Sequence, residues 1–312
     1  MVAAVSAVAL GIAGCSSNSS NQTQTTAVQT SAAVPETEET TVSDDGSAAE
    51  NETVIATTDT YTRTELHLNN NGADIYGELY LPQNTDGKVP LVILTHGLGG
   101  TCAGGERYAA EFAEMGIATY CYDLRFASEN SRSDPNTTQL TPFTAKSDLQ
   151  TAIDTSKTWD FIDEDNVFLM GYSLGGLTTG ITASDNMDYI KAEIMFYPAF
   201  NIQDEVERLA AMGDSMPETF DLTGVTLGTA LVDETLGYDL YAQAQKFDRN
   251  VLLIHGDADP VVPISSSERL KDGMASVEYH VIKDGVHSFQ GDHFEEAMNY
   301  VKDFLNKEIN NE

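Results

Sequence analysis

The chain has 312 residues, 41% of them hydrophobic, which is enough to bury the core of one large α/β domain or two small ones. Its 49 acidic residues against 16 basic ones give a formal charge of −33, which argues against binding nucleic acid or anionic lipid by simple attraction. An acidic surface that keeps an exported protein soluble is the expectation.

Residues 1–13 are apolar and rich in small side chains, too short for a membrane span of about 20 residues. They read as the hydrophobic region of a signal peptide, residues 1–15, ending in Ile12-Ala13-Gly14-Cys15. That ending resembles the bacterial lipobox, which implies that Cys15 is lipidated and that the protein is exported and anchored to the outer face of the cell membrane. No Lys or Arg precedes the apolar run, so a start codon placed downstream of the true one and a chance resemblance stay open. Residues 16–60 follow as a Ser/Thr-rich tether; up to residue 59 they contain no basic or aromatic residue and too little apolar surface to offset the entropy of ordering. Cys102 and Cys121, the other cysteines, are expected to be free, semi-buried thiols.

The folded domain is expected over residues 61–308. Alternation at 61–68 and 73–81 around Asn69-Asn70-Asn71-Gly72 predicts an antiparallel hairpin. Residues 89–95 form an apolar run, as in a strand buried on both faces. A helix over 106–115, a strand over 117–122, a polar segment at 123–142 and an amphipathic helix over 145–162 come next. A further buried strand ends at Met170, a small-residue helix opens at Leu174, and 190–197 is a strand. Residues 199–248 break the rhythm with acidic helical pieces and read either as a cap insertion or as extra packing helices. Strand 251–256, helix 264–274, strand 277–282 and a last helix at 293–306 complete the alternation. Strands alternating with helices predict a mostly parallel, doubly wound sheet whose ligands sit at the carboxyl ends of the strands.

Four polar candidates fall just past such ends. Gly171-Tyr172-Ser173-Leu174-Gly175 reads as strand, sharp turn and helix, with glycines where neighbouring backbone approaches too closely for a side chain. A serine hydroxyl needs a base to become a nucleophile, and the base needs a carboxylate to orient it. His287, in the loop between the last strand and the last helix, is the expected general base, with His293 as the alternative. Asp259, fixed by Pro260, is preferred as the carboxylate over Asp257, which is expected to hold its own turn. The oxyanion is expected to be met by the backbone N–H groups of Leu174 and of Leu98 in His96-Gly97-Leu98-Gly99-Gly100. His96, Tyr172, Met212, Met216 and Tyr238 are expected around the substrate pocket, and no metal or cofactor is called for.

Taken together, His96-Gly97, Gly171-x-Ser173-x-Gly175, Gly256-x-x-Asp259 with Val262-Pro263, and Gly285-x-His287 resemble the α/β-hydrolase superfamily. More narrowly, with Tyr241-Ala242-Gln243-Ala244-Gln245-Lys246-Phe247 and an insertion of this length, the chain is similar to bacterial cinnamoyl/feruloyl esterases and their acylaminoacyl-peptidase-like neighbours. The resemblance implies an α/β-hydrolase fold with an eight-stranded sheet and a helical cap insertion at 199–248. It also implies a serine esterase acting on short-acyl or hydroxycinnamoyl esters, free or linked to plant polysaccharide. The only contact with a membrane is then the N-terminal lipid. The chain departs from these relatives at Arg125-Phe126-Ala127-Ser128, where they usually have a glycine-rich turn. An S9-like serine peptidase, disfavoured by small size and the lack of a large N-terminal propeller, and a non-catalytic binding protein on the same fold are the alternatives.

Overall fold

The computed structural model of the chain describes residues 52–83 and 85–310. The signal segment with Cys15, and the tether as far as residue 51, lie outside the described residues.

In chain order the strands and helices are β1 (Thr53–Thr57), β2 (Tyr61–Asn70), β3 (Ala73–Pro82), β4 (Val89–Thr95), α1 (Glu106–Glu114), β5 (Ala118–Tyr122), α2 (Pro142–Ser156), β6 (Ile162–Tyr172), α3 (Leu174–Ala183) and β7 (Ala192–Phe196). The segment that interrupts the alternation holds α4 (Ile202–Ala210), the hairpin β8 (Thr219–Leu222) and β9 (Val225–Gly228), α5 (Ala230–Thr235) and α6 (Leu240–Ala244). β10 (Asn250–Gly256), α7 (Ile264–Asp272), β11 (Val277–Ile282) and α8 (Asp292–Asn310) close the chain. The main sheet runs β1-β2-β3-β5-β4-β6-β7-β10-β11, antiparallel as far as the β3–β5 pair and parallel from β5 onward.

The sheet therefore has nine strands where eight were expected, because the tether ends sooner than residue 60. β1 pairs along β2, with Thr53 opposite Glu65, yet Val54 and Ile55 stay exposed. Backbone hydrogen bonds to a free sheet edge hold this strand, not burial: its β-branched Thr53, Val54, Ile55 and Thr57 suit an extended chain, but no buried face marks it out from the polar segment before it. The helix expected at 145–162 is displaced for a local reason. Pro142 suits a first helical position, where no N–H is needed, and Thr141 and Thr144 form a reciprocal capping box. The helix stops at Ser156, and Ile162 already belongs to β6, paired with Val89.

Strands β5, β7 and β10 are buried almost throughout, as their apolar runs require. One face packs on α1 and α8 through Tyr108, Phe112, Val301 and Phe304. The other packs on α2, α3 and α7 and on much of the inserted segment, through Leu149, Leu177, Leu270 and Val206. All ten residues of α3 are buried, so the helix that follows Ser173 is clamped from every side. The inserted segment is not wholly helical: it contains the β8–β9 hairpin, and its last piece, α6, packs on α3 as part of the domain body.

Candidate active site

Ser173 stands between β6 and α3 in a backbone conformation of φ 56° and ψ −121°, a positive-φ geometry that an L-residue adopts only under constraint. The flanking glycines make it possible. A Cβ on Gly171 would collide with the Gly175 carbonyl, and one on Gly175 with the carbonyl of Thr95 on β4. The buried helix α3 and the bond from Ser173 N–H to Phe196 O on β7 hold the turn in place.

His287 Nε2 lies 3.1 Å from Ser173 Oγ, and its Nδ1 lies 2.7 Å from Asp259 Oδ2. The second oxygen of Asp259 accepts from the N–H groups of Val261 (2.8 Å) and Val262 (3.0 Å), so one carboxylate both shapes its own turn and faces the imidazole. Burial pushes the Asp259 carboxyl up. The bonds from His255, His287 and the two backbone amides outweigh that and hold it well below the usual carboxylate range. The side chain of Asp259 is 1% exposed, so an anion is fixed beneath the imidazole.

Asp257 acts across loops, not within its own turn as expected. Its Oδ1 accepts from Asp284 N–H at 2.6 Å and so ties the His287 loop to the Asp259 loop. Tyr197 adds a wall, its ring centroid 4.6 Å from that of His287. Of the other histidines, buried His255 lies beneath the site, bonding Ser267 Oγ and Val262 O and standing 3.5 Å from Asp259 Oδ2, while His67 faces Asp74 and His280 stacks on Tyr300 away from it. His293 lies within α8 and does not meet Ser173.

In the loop after β4, Gly99 N–H donates to Ala127 O (2.7 Å) and Gly100 N–H to Gly97 O (3.1 Å). Leu98 N–H donates to no backbone group among the described residues, and Leu174 N–H opens α3, where an intrahelical partner is impossible. These are the two amides expected to face an oxyanion. Arg125-Phe126-Ala127-Ser128 brackets this loop: beside the Ala127 bond, Ser128 Oγ donates to Gly99 O at 3.2 Å. Arg125 is anchored in turn on buried Asp148, 2.7 Å away. Arg125-Phe126-Ala127-Ser128 thus braces the loop that carries Leu98 through its neighbour Gly99.

A cavity of about 410 Å³, counting its open mouth, adjoins Ser173. Leu98, Leu174, Ala199, Ile202, Val261 and Val262 make most of its wall apolar, and Asn201, Glu205, Leu222 and Thr223 complete it. The pocket expected from sequence is largely elsewhere. His96 is buried; its Nε2 accepts from Leu124 N–H, its Nδ1 bonds Gly97 O, and burial lowers its pKa, so it is a neutral strut. Tyr172 turns away to stack on Tyr108. Met212 is exposed and Met216 packs on the hydrophobic core. Tyr238 meets Phe143 edge-on and lines a different cleft. The sequence picked large side chains of the inserted segment; the cavity uses the start of α4 and the tip of the β8–β9 hairpin instead.

Cys102 and Cys121 are free and fully buried, deeper than expected. Among the described residues no three or more His, Cys, Asp or Glu side chains are grouped as a metal would need, and no helix is long and apolar enough to cross a membrane.

The sequence model of the prolyl oligopeptidase family matches residues 143–312, more than half of the chain. No curated protein sequence matches it. Among solved structures, Est1E from Butyrivibrio proteoclasticus, determined with ferulic acid bound, superimposes with a TM-score of 0.70 at 24% identity, covering 78% of this chain and 99% of that one. An acetyl xylan esterase from a Paenibacillus species gives a TM-score of 0.64 at 18% identity, covering 81% of this chain and 87% of that one. At such identities the likeness establishes the α/β-hydrolase fold.

Proposed function

Because the chain belongs to the prolyl oligopeptidase family, we propose that it is a serine hydrolase working through an acyl-enzyme on carboxylic esters, short-acyl or hydroxycinnamoyl, of the kind found on plant polysaccharide. The observation that carries this is the unbroken relay from Ser173 Oγ through the His287 imidazole to Asp259, with distances of 3.1 and 2.7 Å.

In the proposed reaction His287 Nε2 takes the Ser173 hydroxyl proton as Oγ attacks the ester carbonyl. Asp259, ionised at any ordinary pH, holds the Nδ1–H tautomer and stabilises the imidazolium that forms. The carbonyl oxygen gains charge and is met by Leu98 and Leu174 N–H. His287 returns the proton to the leaving alcohol, then activates water to hydrolyse the acyl-enzyme. The apolar cavity beside Ser173 receives the acyl group. Support for an ester comes from the folds it resembles, one solved with ferulic acid and another named an acetyl xylan esterase.

Replacing Ser173 with Ala in the purified domain is expected to abolish turnover of p-nitrophenyl acetate and butyrate; retained turnover sinks the proposal. The family name favours a second reading, peptide cleavage. Hydrolysis of methyl ferulate against an aminoacyl-anilide separates the two. A protein that resists a fluorophosphonate probe is a binding protein on this fold. The proposal also places the enzyme outside the cell, anchored through Cys15, on the strength of Ile12-Ala13-Gly14-Cys15. Loss of palmitate labelling in Cys15→Ser checks that part.

A further inference from the structure

Arg107, on the first turn of α1, is not among the residues that line the Ser173 cavity. Glu106 beside it pairs with Arg63 at 3.3 Å, so the neighbouring carboxylate is taken. The Arg107 guanidinium turns instead to two neutral oxygens. Its Nη1 donates to the carbonyl of Phe289 at 3.0 Å and its Nη2 to the hydroxyl of Tyr108 at 2.9 Å. It also lies over the ring of Phe294, 4.2 Å from the centroid. In a chain with 49 acidic residues and 16 basic ones, a cation that bonds a carbonyl and a phenol owes its place to the shape of its fork. The fork presents two donors at a fixed separation, which a flexible ammonium cannot imitate.

Both oxygens lead to the relay. Phe289 lies two residues past His287, beyond Ser288 at φ 62°, and its buried ring meets that of Tyr197 edge-on with centroids 4.9 Å apart. Tyr197 in turn stands 4.6 Å from the His287 ring. Tyr108 is fully buried and stacks at 5.7 Å on Tyr172, the residue before Ser173, and its hydroxyl also meets that of Tyr197. Asp257 holds the stretch before His287 through Asp284 N–H. Arg107 holds the stretch after it.

We propose that Arg107 is a positioning residue of this site. By fixing Phe289 O and Tyr108 it sets the His287 imidazole between Ser173 Oγ and Asp259, so its loss slows the chemical step and leaves substrate binding nearly unchanged. The assignment rests on the proposed roles of Ser173 and His287. A misplacement of about 1 Å, caused by a change far from the chemistry, is enough to cost up to ~100-fold in rate.

Kinetics on p-nitrophenyl butyrate test this. Arg107→Ala is expected to lower kcat about thirtyfold with KM within about twofold of native. Guanidinium chloride at about 50 mM, far below denaturing strength, is expected to restore a good part of that loss by refilling the vacated place, and sodium chloride at equal ionic strength to restore none. Arg107→Lys keeps the stem and the charge and so guards against a variant that fails to fold; it is expected to stay about tenfold below native, because one ammonium does not bridge both oxygens. Native kcat in Arg107→Lys, a loss confined to KM, or equal effects of the two salts overturns the assignment. A second reading needs no turnover. The proton between His287 Nδ1 and Asp259 is followed by NMR as a downfield resonance, assigned by its loss in His287→Ala, and is expected to shift or broaden in both Arg107 variants. If the native protein hydrolyses no ester while that resonance moves, only the proposed function fails; if it hydrolyses esters and both variants match it in kcat and resonance, only the assignment of Arg107 fails.

Discussion

The backbone N–H of Asp284 donates to Asp257 Oδ1 at 2.6 Å, joining the loop that presents His287 to the loop that presents Asp259. Neither residue touches Ser173, yet their bond sets how far the imidazole stands from its carboxylate. Asp284 itself sits at φ 56° and Ser288 at φ 62°, so the His287 loop is wound tightly on both sides of the histidine and needs an external tie.

Asp257→Ala is accordingly expected to lower kcat on p-nitrophenyl butyrate about tenfold with little change in KM, because the imidazole loses its position while the cavity is untouched. Asp257→Asn, which keeps the accepting oxygen, is expected to recover most of the loss. Steady-state kinetics of the two variants decide the matter; a fall confined to KM would be inconsistent with a positioning role.

Thr223 offers a second test. It stands at φ 53° before Gly224 at φ 87° at the tip of the β8–β9 hairpin, a turn that prefers Asn or Gly at its first position. A β-branched residue is strained there, and this one lines the Ser173 cavity. Thr223→Asn is expected to stabilise the fold by about 1 kcal/mol in urea unfolding and to shift relative kcat/KM among acyl groups. Unchanged stability would mean that the hairpin relaxes freely.

Glu193 on β7 yields a pH prediction. Its register neighbours are Leu169 on β6 and Val251 on β10, both oxygens lack a hydrogen-bond partner among the described residues, and burial alone lifts its pKa from 4.5 to about 8. The folded state therefore keeps a proton that the unfolded chain has lost. Stability contributed at this site falls as the pH rises from the ordinary glutamate range to about 8 and levels off above, by roughly 5 kcal/mol in all. Glu193→Gln is expected to flatten that slope, with a melting-temperature advantage at pH 9 that vanishes near pH 4. A parallel shift at both pH values would point to packing instead.

Much of the candidate site was legible in the sequence. Ser173 and Asp259 each follow a strand that is apolar and buried over its last residues, β6 and β10, while His287 follows the half-buried edge strand β11, whose place came from the alternation of strands and helices. What each residue does beyond that depended on its neighbours. Asp257 looked like a local turn former until Asp284, 27 residues on, was seen to be its partner. His96 looked like a pocket residue until both ring nitrogens were found bonded to backbone.

The sequence by itself determined the α/β alternation, the glycines that the Ser173 turn requires and the chain order of serine, aspartate and histidine, because apolar periodicity and local sterics are properties of short segments. Only the tertiary structure decided that β1 extends the sheet, that the β8–β9 tip and the start of α4 wall the cavity in place of Met212, Met216 and Tyr238, and that Arg107 on α1 reaches the His287 loop at Phe289 O. Those outcomes turn on which distant segments become neighbours, and neighbourhood is fixed by long-range pairing and packing that no short window of sequence contains.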